Sequence, residues 1–151
     1  MKYKVAGVAA LLCLSATQAL AQAQVRDAVY RGTLVCDRLP FFETAQREAL
    51  EVNISGSDAK YSLVVRERRG APTSSEQGGG KLDGEKISLT GKWSGASDRY
   101  ESSYSGSFVR RSAKLTGTQT WTHDGKTFTR NCTGVIKRPF AAFLPKDGDK
   151  K

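Results

Sequence analysis

One histidine, one methionine and three cysteines in 151 residues leave little of the chemistry that metal sites and most hydrolytic enzymes use. A metal centre needs three or four convergent ligands, and a single imidazole, His123, with scattered aspartates does not supply them. No metal and no cofactor is therefore expected. No apolar run after Val5–Leu14 approaches the roughly 20 residues of a membrane-spanning helix, so a soluble mature chain without stable membrane insertion is expected. Sustained 3.6-residue periodicity is missing too, which argues against a helical bundle. The segment Gly78-Gly79-Gly80-Lys81 lacks the earlier glycine of a phosphate loop. Leu82 replaces its hydroxyl residue, no helix is expected after it, and it is set aside.

What is present begins with an address. Met1-Lys2-Tyr3-Lys4 is a short basic start, Val5–Leu14 is apolar, and small residues follow through Ala19-Leu20-Ala21 and Ala21-Gln22-Ala23. That is the layout of a bacterial secretory signal with two overlapping A-x-A cleavage options. Residues 1–21 are read as the signal peptide, 22–138 as one domain and 139–151 as a frayed basic tail. Cys13 departs with the signal, and Leu12 sits where lipoprotein processing needs a small residue. Cys36 and Cys132 remain. Two cysteines in an exported chain are expected to pair in the periplasm or the medium. Closing a loop of about 97 residues stabilises a fold by roughly 4–5 kcal/mol on a chain-entropy argument.

The mature sequence reads as β throughout. Eight alternating runs are bounded by turn residues: Ala28–Cys36, Ala49–Ser55, Ala59–Arg66, Ser74–Leu82, Glu85–Trp93, Arg99–Val109, Ala113–Thr122 and Lys126–Lys137. Ser55-Gly56-Ser57-Asp58, Asp83-Gly84, Ser94–Asp98 and Asp124-Gly125 carry turn chemistry, because glycine takes positive φ freely and aspartate tolerates it. Two connectors are long. Asp37–Glu48 contains Leu39-Pro40-Phe41-Phe42 and is expected to form one helical turn laying two rings over an open end. Glu67–Thr73 is Arg-rich and is read as an exposed loop.

The last hairpin can be registered residue by residue. A two-residue turn at Asp124-Gly125 pairs His123 with Lys126, Trp121 with Phe128, Gln119 with Arg130 and Gly117 with Cys132. One face then carries Leu115, Gly117, Gln119, Trp121, Phe128, Arg130, Cys132 and Ile136. The other is threonine-rich, from Thr116 to Thr133, so the aromatic face points inward. The same rule turns Tyr30, Gly32 and Leu34, Ile87 to Trp93, and Tyr100 to Phe108 inward. Gly32, Gly91, Gly106, Gly117 and Gly134 fall on inward positions, which suits strands that bend sharply. A disulfide between the first and last strands then brings the ends of the meander together. The expectation is an all-β, eight-stranded, antiparallel up-and-down barrel closed by one disulfide, whose interior is filled by side chains or holds one small ligand.

Within that barrel no catalytic residue is expected. His123 abuts a turn and is expected to be solvent-exposed, paired cysteines offer no thiolate, and none of Asp37, Glu51, Asp83, Glu85 or Glu101 falls on an inward position. The sharpest candidate is polar and interior. Arg130 faces Gln119 among Trp93, Trp121, Tyr100 and Tyr104, with Tyr30 read as lining the same space. A buried guanidinium must meet an acid, carbonyls, water or a ligand. These residues are the candidate ligand-binding set. The full sequence carries 24 Lys and Arg against 15 Asp and Glu, a formal net charge of +9, which becomes +7 once residues 1–21, with Lys2 and Lys4, are removed. The charges look dispersed. Counting loops, Arg38, Arg47, Arg66, Arg68, Arg69, Arg99 and Lys126 share one end with Asp37, Glu43, Glu48, Glu67, Asp98 and Asp124. No aromatic-basic face of the kind that stacks nucleobases is expected, so nucleic acid is not an expected partner. Anionic envelope material suits the positive balance better.

Tyr30–Cys36, Leu39-Pro40-Phe41, Ser103-Tyr104-Ser105-Gly106 and Leu115–Trp121, continued to Cys132, resemble a family of small exported β-proteins of α-proteobacteria. The resemblance covers most of the mature chain and implies export and a β fold, but no activity. Size, export, one disulfide and eight strands are also similar to periplasmic lysozyme-inhibitor barrels. Their Ser-Gly and Tyr-rich motif has a partial counterpart in Ser103–Gly106, and their Trp-x-Lys-Gly stretch has none. Leu89–Trp93 is similar to the first strand of biotin-binding barrels, without the rest of that pattern. The function expected is that of a monomeric, non-enzymatic exported binding module. It would hold a small ligand or contact a protein, with inhibition of lysozyme or another hydrolase as one version. The alternative is an envelope-associated protein docking on anionic glycan or lipopolysaccharide through its basic surface.

Overall fold

A computed structural model describes residues 27–65 and 74–139. The eight strands follow the alternating runs: β1 (Ala28–Cys36), β2 (Gln46–Ser55), β3 (Asp58–Val65), β4 (Ser74–Asp83), β5 (Lys86–Ser94), β6 (Arg99–Val109), β7 (Ser112–His123) and β8 (Lys126–Lys137). They pair in chain order as an antiparallel meander, and β8 returns to β1 to close the barrel. The expected signal segment with Cys13, the expected loop containing Arg66, Arg68 and Arg69, and the expected tail from residue 140 lie outside the described residues.

The β7–β8 register is the one the turn chemistry dictates. Asp124 and Gly125 take φ of +49° and +73°, and Trp121, Gln119 and Gly117 face Phe128, Arg130 and Cys132. Most boundaries agree with the pattern to within one residue, and two differences have a clear physical cause. The β4–β5 turn centres on Gly84-Glu85, because Asp83 pairs with Lys86 in the ladder and Gly84 takes the positive φ of +58°; opposite charges directly across a ladder favour that register. Strand β2 begins at Gln46 instead of Ala49, with Gln46 opposite Cys36. A charged residue on an inward position, Glu48, hides that first stretch from a hydrophobic pattern.

Closure is decided at the β1–β8 seam. The ladder runs from Arg31 opposite Lys137 to Cys36 opposite Cys132, and the two cysteines are bonded. A lone disulfide in a small barrel belongs to an oxidising, non-cytoplasmic compartment. The inward glycines let the wall coil this tightly. A Cβ at Gly117 would fall on the carbonyl oxygen of Ser103 and on Tyr104, and one at Gly32 on the carbonyl of Val135.

The interior divides along the axis. One half is apolar and packs Leu34, Leu50, Val52, Ile54, Ile87 and Phe108 with their neighbours. The other half holds Leu39, Val65, Trp93, Tyr100 and Trp121, against which Phe41, Phe42 and Phe128 pack. This second half sits at the end that bears the β1–β2 loop.

Replacing both Cys36 and Cys132 by alanine is expected to lower the unfolding free energy by about 4 kcal/mol. Urea titrations of the two proteins should show the loss, and dithiothreitol should reproduce it in the wild type alone.

Candidate functional site

Strand alternation sends Arg130, Gln119, Trp93, Trp121, Tyr100 and Tyr104 inward, and all six are buried. Trp93, Tyr100 and Trp121 form one aromatic group with ring centroids 4.5–5.5 Å apart. Gln119 is the hub between the rings and the charge. Its Nε2 donates to the Tyr104 hydroxyl at 2.8 Å, and its Oε1 accepts from Trp121 Nε1 at 3.1 Å and Arg130 Nε at 2.8 Å. Tyr30 does not line this space. It packs on Phe108 in the apolar half, with centroids 4.9 Å apart, because it lies six residues back along β1 from the seam disulfide.

Two carboxylates missing from the pattern-based set stand inside the barrel. Glu76 of β4 is wholly buried and receives three hydroxyl donors: Tyr61 and Ser102 on Oε1, and Tyr100 on Oε2 at 2.7 Å. Three donors on one carboxylate offset much of its desolvation cost. Glycines make the room. A Cβ at Gly78 or Gly91 would collide with the Tyr61 ring or hydroxyl that reaches Glu76. Burial, and then the neighbouring Glu76, push the Tyr61 and Tyr100 phenols well above their ordinary range, so both remain donors. The inward set of β4 reads Glu76, Gly78, Gly80, Leu82, which has too few apolar side chains to reveal itself by hydropathy.

Glu48 of β2 is the acid that meets Arg130. Each is 3 % exposed, and Arg130 Nη2 lies 3.8 Å from Glu48 Oε1. Nη1 and Nη2 of Arg130 and Oε2 of Glu48 are buried without a hydrogen-bond partner. The guanidinium also lies 5.4 Å from the Phe42 ring centroid and 5.1 Å from that of Trp121, contacts that favour a cation. Burial outweighs the attraction of Arg130 and pushes the Glu48 carboxyl up to about 7, with Glu76 adding to the rise. Burial draws the Arg130 guanidinium downward, opposed by Glu48. The loop count that placed Glu48 among exposed acids at this end is therefore corrected, since it is an interior residue of β2.

A roof covers the site. Phe42 N donates to Leu39 O at 3.0 Å, a tight turn that lays Phe41 and Phe42 over Trp121. His123 belongs to this roof and is not the solvent-exposed turn residue expected from its position. Its side chain is 20 % exposed, its Nδ1 lies 2.6 Å from Asp98 Oδ1, and its ring stacks on Phe41 at 4.1 Å. The aromatic loop packs against the hairpin and covers one face of the imidazole. No group of three or more His, Cys, Asp and Glu able to hold a metal occurs among the described residues.

The pH dependence of stability follows from Glu48. A carboxyl whose folded value is raised stabilises the fold fully below its unfolded value and loses that contribution as pH climbs through the folded value. Stability is expected to fall by about 3 kcal/mol between pH 4.5 and 7. The slope should disappear in Glu48→Gln, as read by urea unfolding at stepped pH. Comparison of the chain with family models, with curated proteins and with solved structures returns no match.

Proposed function

We propose that the protein is an exported binding module, acting in the periplasm or the medium, that takes a small organic anion at the Arg130 end of the barrel. The observation that carries this reading is the buried guanidinium whose two terminal nitrogens have no hydrogen-bond partner. An uncompensated donor of that kind costs roughly 1–3 kcal/mol, and a carboxylate satisfies two at once in the bidentate geometry that guanidinium favours. Gln119 holds Nε of the same group at 2.8 Å, so the fork is fixed before a ligand arrives. Trp121 and Phe42 flank it and suit a flat apolar body attached to the anionic group.

Glu48 gives the reading its direction of pH dependence. An arriving anion competes with Glu48 for Arg130, and a carboxyl poised near 7 yields by taking a proton. Binding then strengthens as pH falls through neutrality. Entry requires the Leu39–Phe42 turn to swing aside, since its rings cover the guanidinium.

Thermal unfolding in the presence of small aromatic and aliphatic carboxylates tests the proposal, with matched neutral amides as controls. A carboxylate at about ten times its Kd should raise the melting temperature by roughly 4 °C. The shift should be larger at pH 6 than at pH 8 and absent in Arg130→Met. The reading fails if no carboxylate moves the transition while Arg130→Met leaves ligand-free stability unchanged or improved.

A further inference from the structure

The outer wall carries a second feature, independent of the interior site. Across the β1–β8 seam the outward residues of β1, Arg31, Thr33 and Val35, stand opposite Lys137, Val135 and Thr133 of β8. The next strands add Arg47, opposite Val35, and Lys114, opposite Val135. Short side chains thus run along the seam, with long basic ones on either side. The result is a groove of about 540 Å³ lined by Arg31, Arg47, Lys114 and Lys137, with no acid in its lining. Glu51, on the neighbouring strand, is held by Arg31 at 2.8 Å.

The floor is mixed. Thr33 and Thr133 bring hydroxyls, and Val35 and Val135 bring methyls; Val135 is 44 % exposed, one of two large apolar side chains so exposed among the described residues. A wholly hydrated polyanion gains nothing from the valines, and a lipid surface gains little from threonines sunk between long cationic arms. Sugar rings present C–H faces and hydroxyls together, and acidic sugars add carboxylates at regular intervals. Nucleic acid is disfavoured because no aromatic side chain lines the groove for base stacking.

We infer that the β1–β8 seam groove is a docking site for an acidic polysaccharide, a chain of uronate-type sugars whose carboxylates pair with Arg31, Arg47, Lys114 and Lys137. The apparently dispersed charge of the sequence is focused here by closure. Arg47, counted from the sequence with loop charges at one end, stands on the side wall in β2, and the seam brings it to the same groove as Lys114 of β7.

Affinity electrophoresis and calorimetry with polygalacturonate, at sodium chloride concentrations from 20 to 300 mM, test the inference, with dextran as the neutral control. The wild type should bind polygalacturonate and not dextran, with affinity falling at least about tenfold across the salt range. Arg47→Glu with Lys114→Glu should reduce low-salt affinity by on the order of tenfold or more. Lys60→Glu with Lys86→Glu changes net charge equally on other strands and should cost less than about threefold. Both variants alter exposed side chains, and unchanged thermal unfolding verifies their folding. Equal losses in the two variants would overturn the inference, by showing diffuse attraction. So would absence of binding at 20 mM salt, or tighter binding to duplex DNA or to anionic phospholipid vesicles than to polygalacturonate.

Discussion

Closure of the sheet at the β1–β8 seam is the constraint on which the rest of the molecule depends. An open eight-stranded meander would leave two edges and one wet face. Joining its ends removes the edges and turns the inward face into a space without bulk water. Every polar side chain on that face must then find its partner among the other inward residues. Glu76 does so completely, through three hydroxyls from two strands, Tyr61 of β3 and Tyr100 and Ser102 of β6. Arg130 and Glu48 do so only in part. The contrast between one satisfied carboxylate and one incompletely satisfied ion pair in the same interior is the physical basis of the ligand site proposed at the Arg130 end.

The disulfide and the ion pair occupy neighbouring levels of the barrel. Arg130 and Cys132 are successive inward residues of β8. Cys36 lies opposite Cys132 across the seam and Gln46 across β1–β2, one inward step from Glu48. The sulfur bridge ties β8, which holds Arg130, to β1, on which β2 with Glu48 is paired, and it does so where the roof loop leaves β1. Fixing those strands keeps the guanidinium and carboxylate close although the direct contact between them is long. It also denies the buried charges the relaxation that would let them reach water.

The two faces of the wall divide the labour. Inward positions carry rings, glycines and the polar core. Outward positions carry hydroxyls on β6, β7 and β8 and a cationic frame at the seam. A barrel with no exposed edge has only its ends and its wall with which to meet a partner. The roofed end suits a small molecule, and the grooved wall suits an extended one.

Strand number, order and the β7–β8 register were legible because alternation and turn residues are local properties. The hydrophobic period of two fixes which face a residue takes, and Asp124-Gly125 fixes which residues oppose one another. By the same logic the inward placement of Arg130, Gln119, Trp93, Trp121, Tyr100 and Tyr104 followed from the chain alone. Glu48 and Glu76 did not, because a lone acid on an inward position violates the pattern that identifies the face. Its tolerance depends on hydroxyls and a guanidinium contributed by strands distant in sequence. Nor did the partial burial of His123, which rests on Phe41 of the β1–β2 loop folding over the same end of the barrel, or the gathering of Arg31, Arg47, Lys114 and Lys137 into one groove. The order of residues determined a closed β-cylinder and the identity of its two faces; the partner of each buried charge and the neighbours of each exposed one were decided only when the first and last strands met.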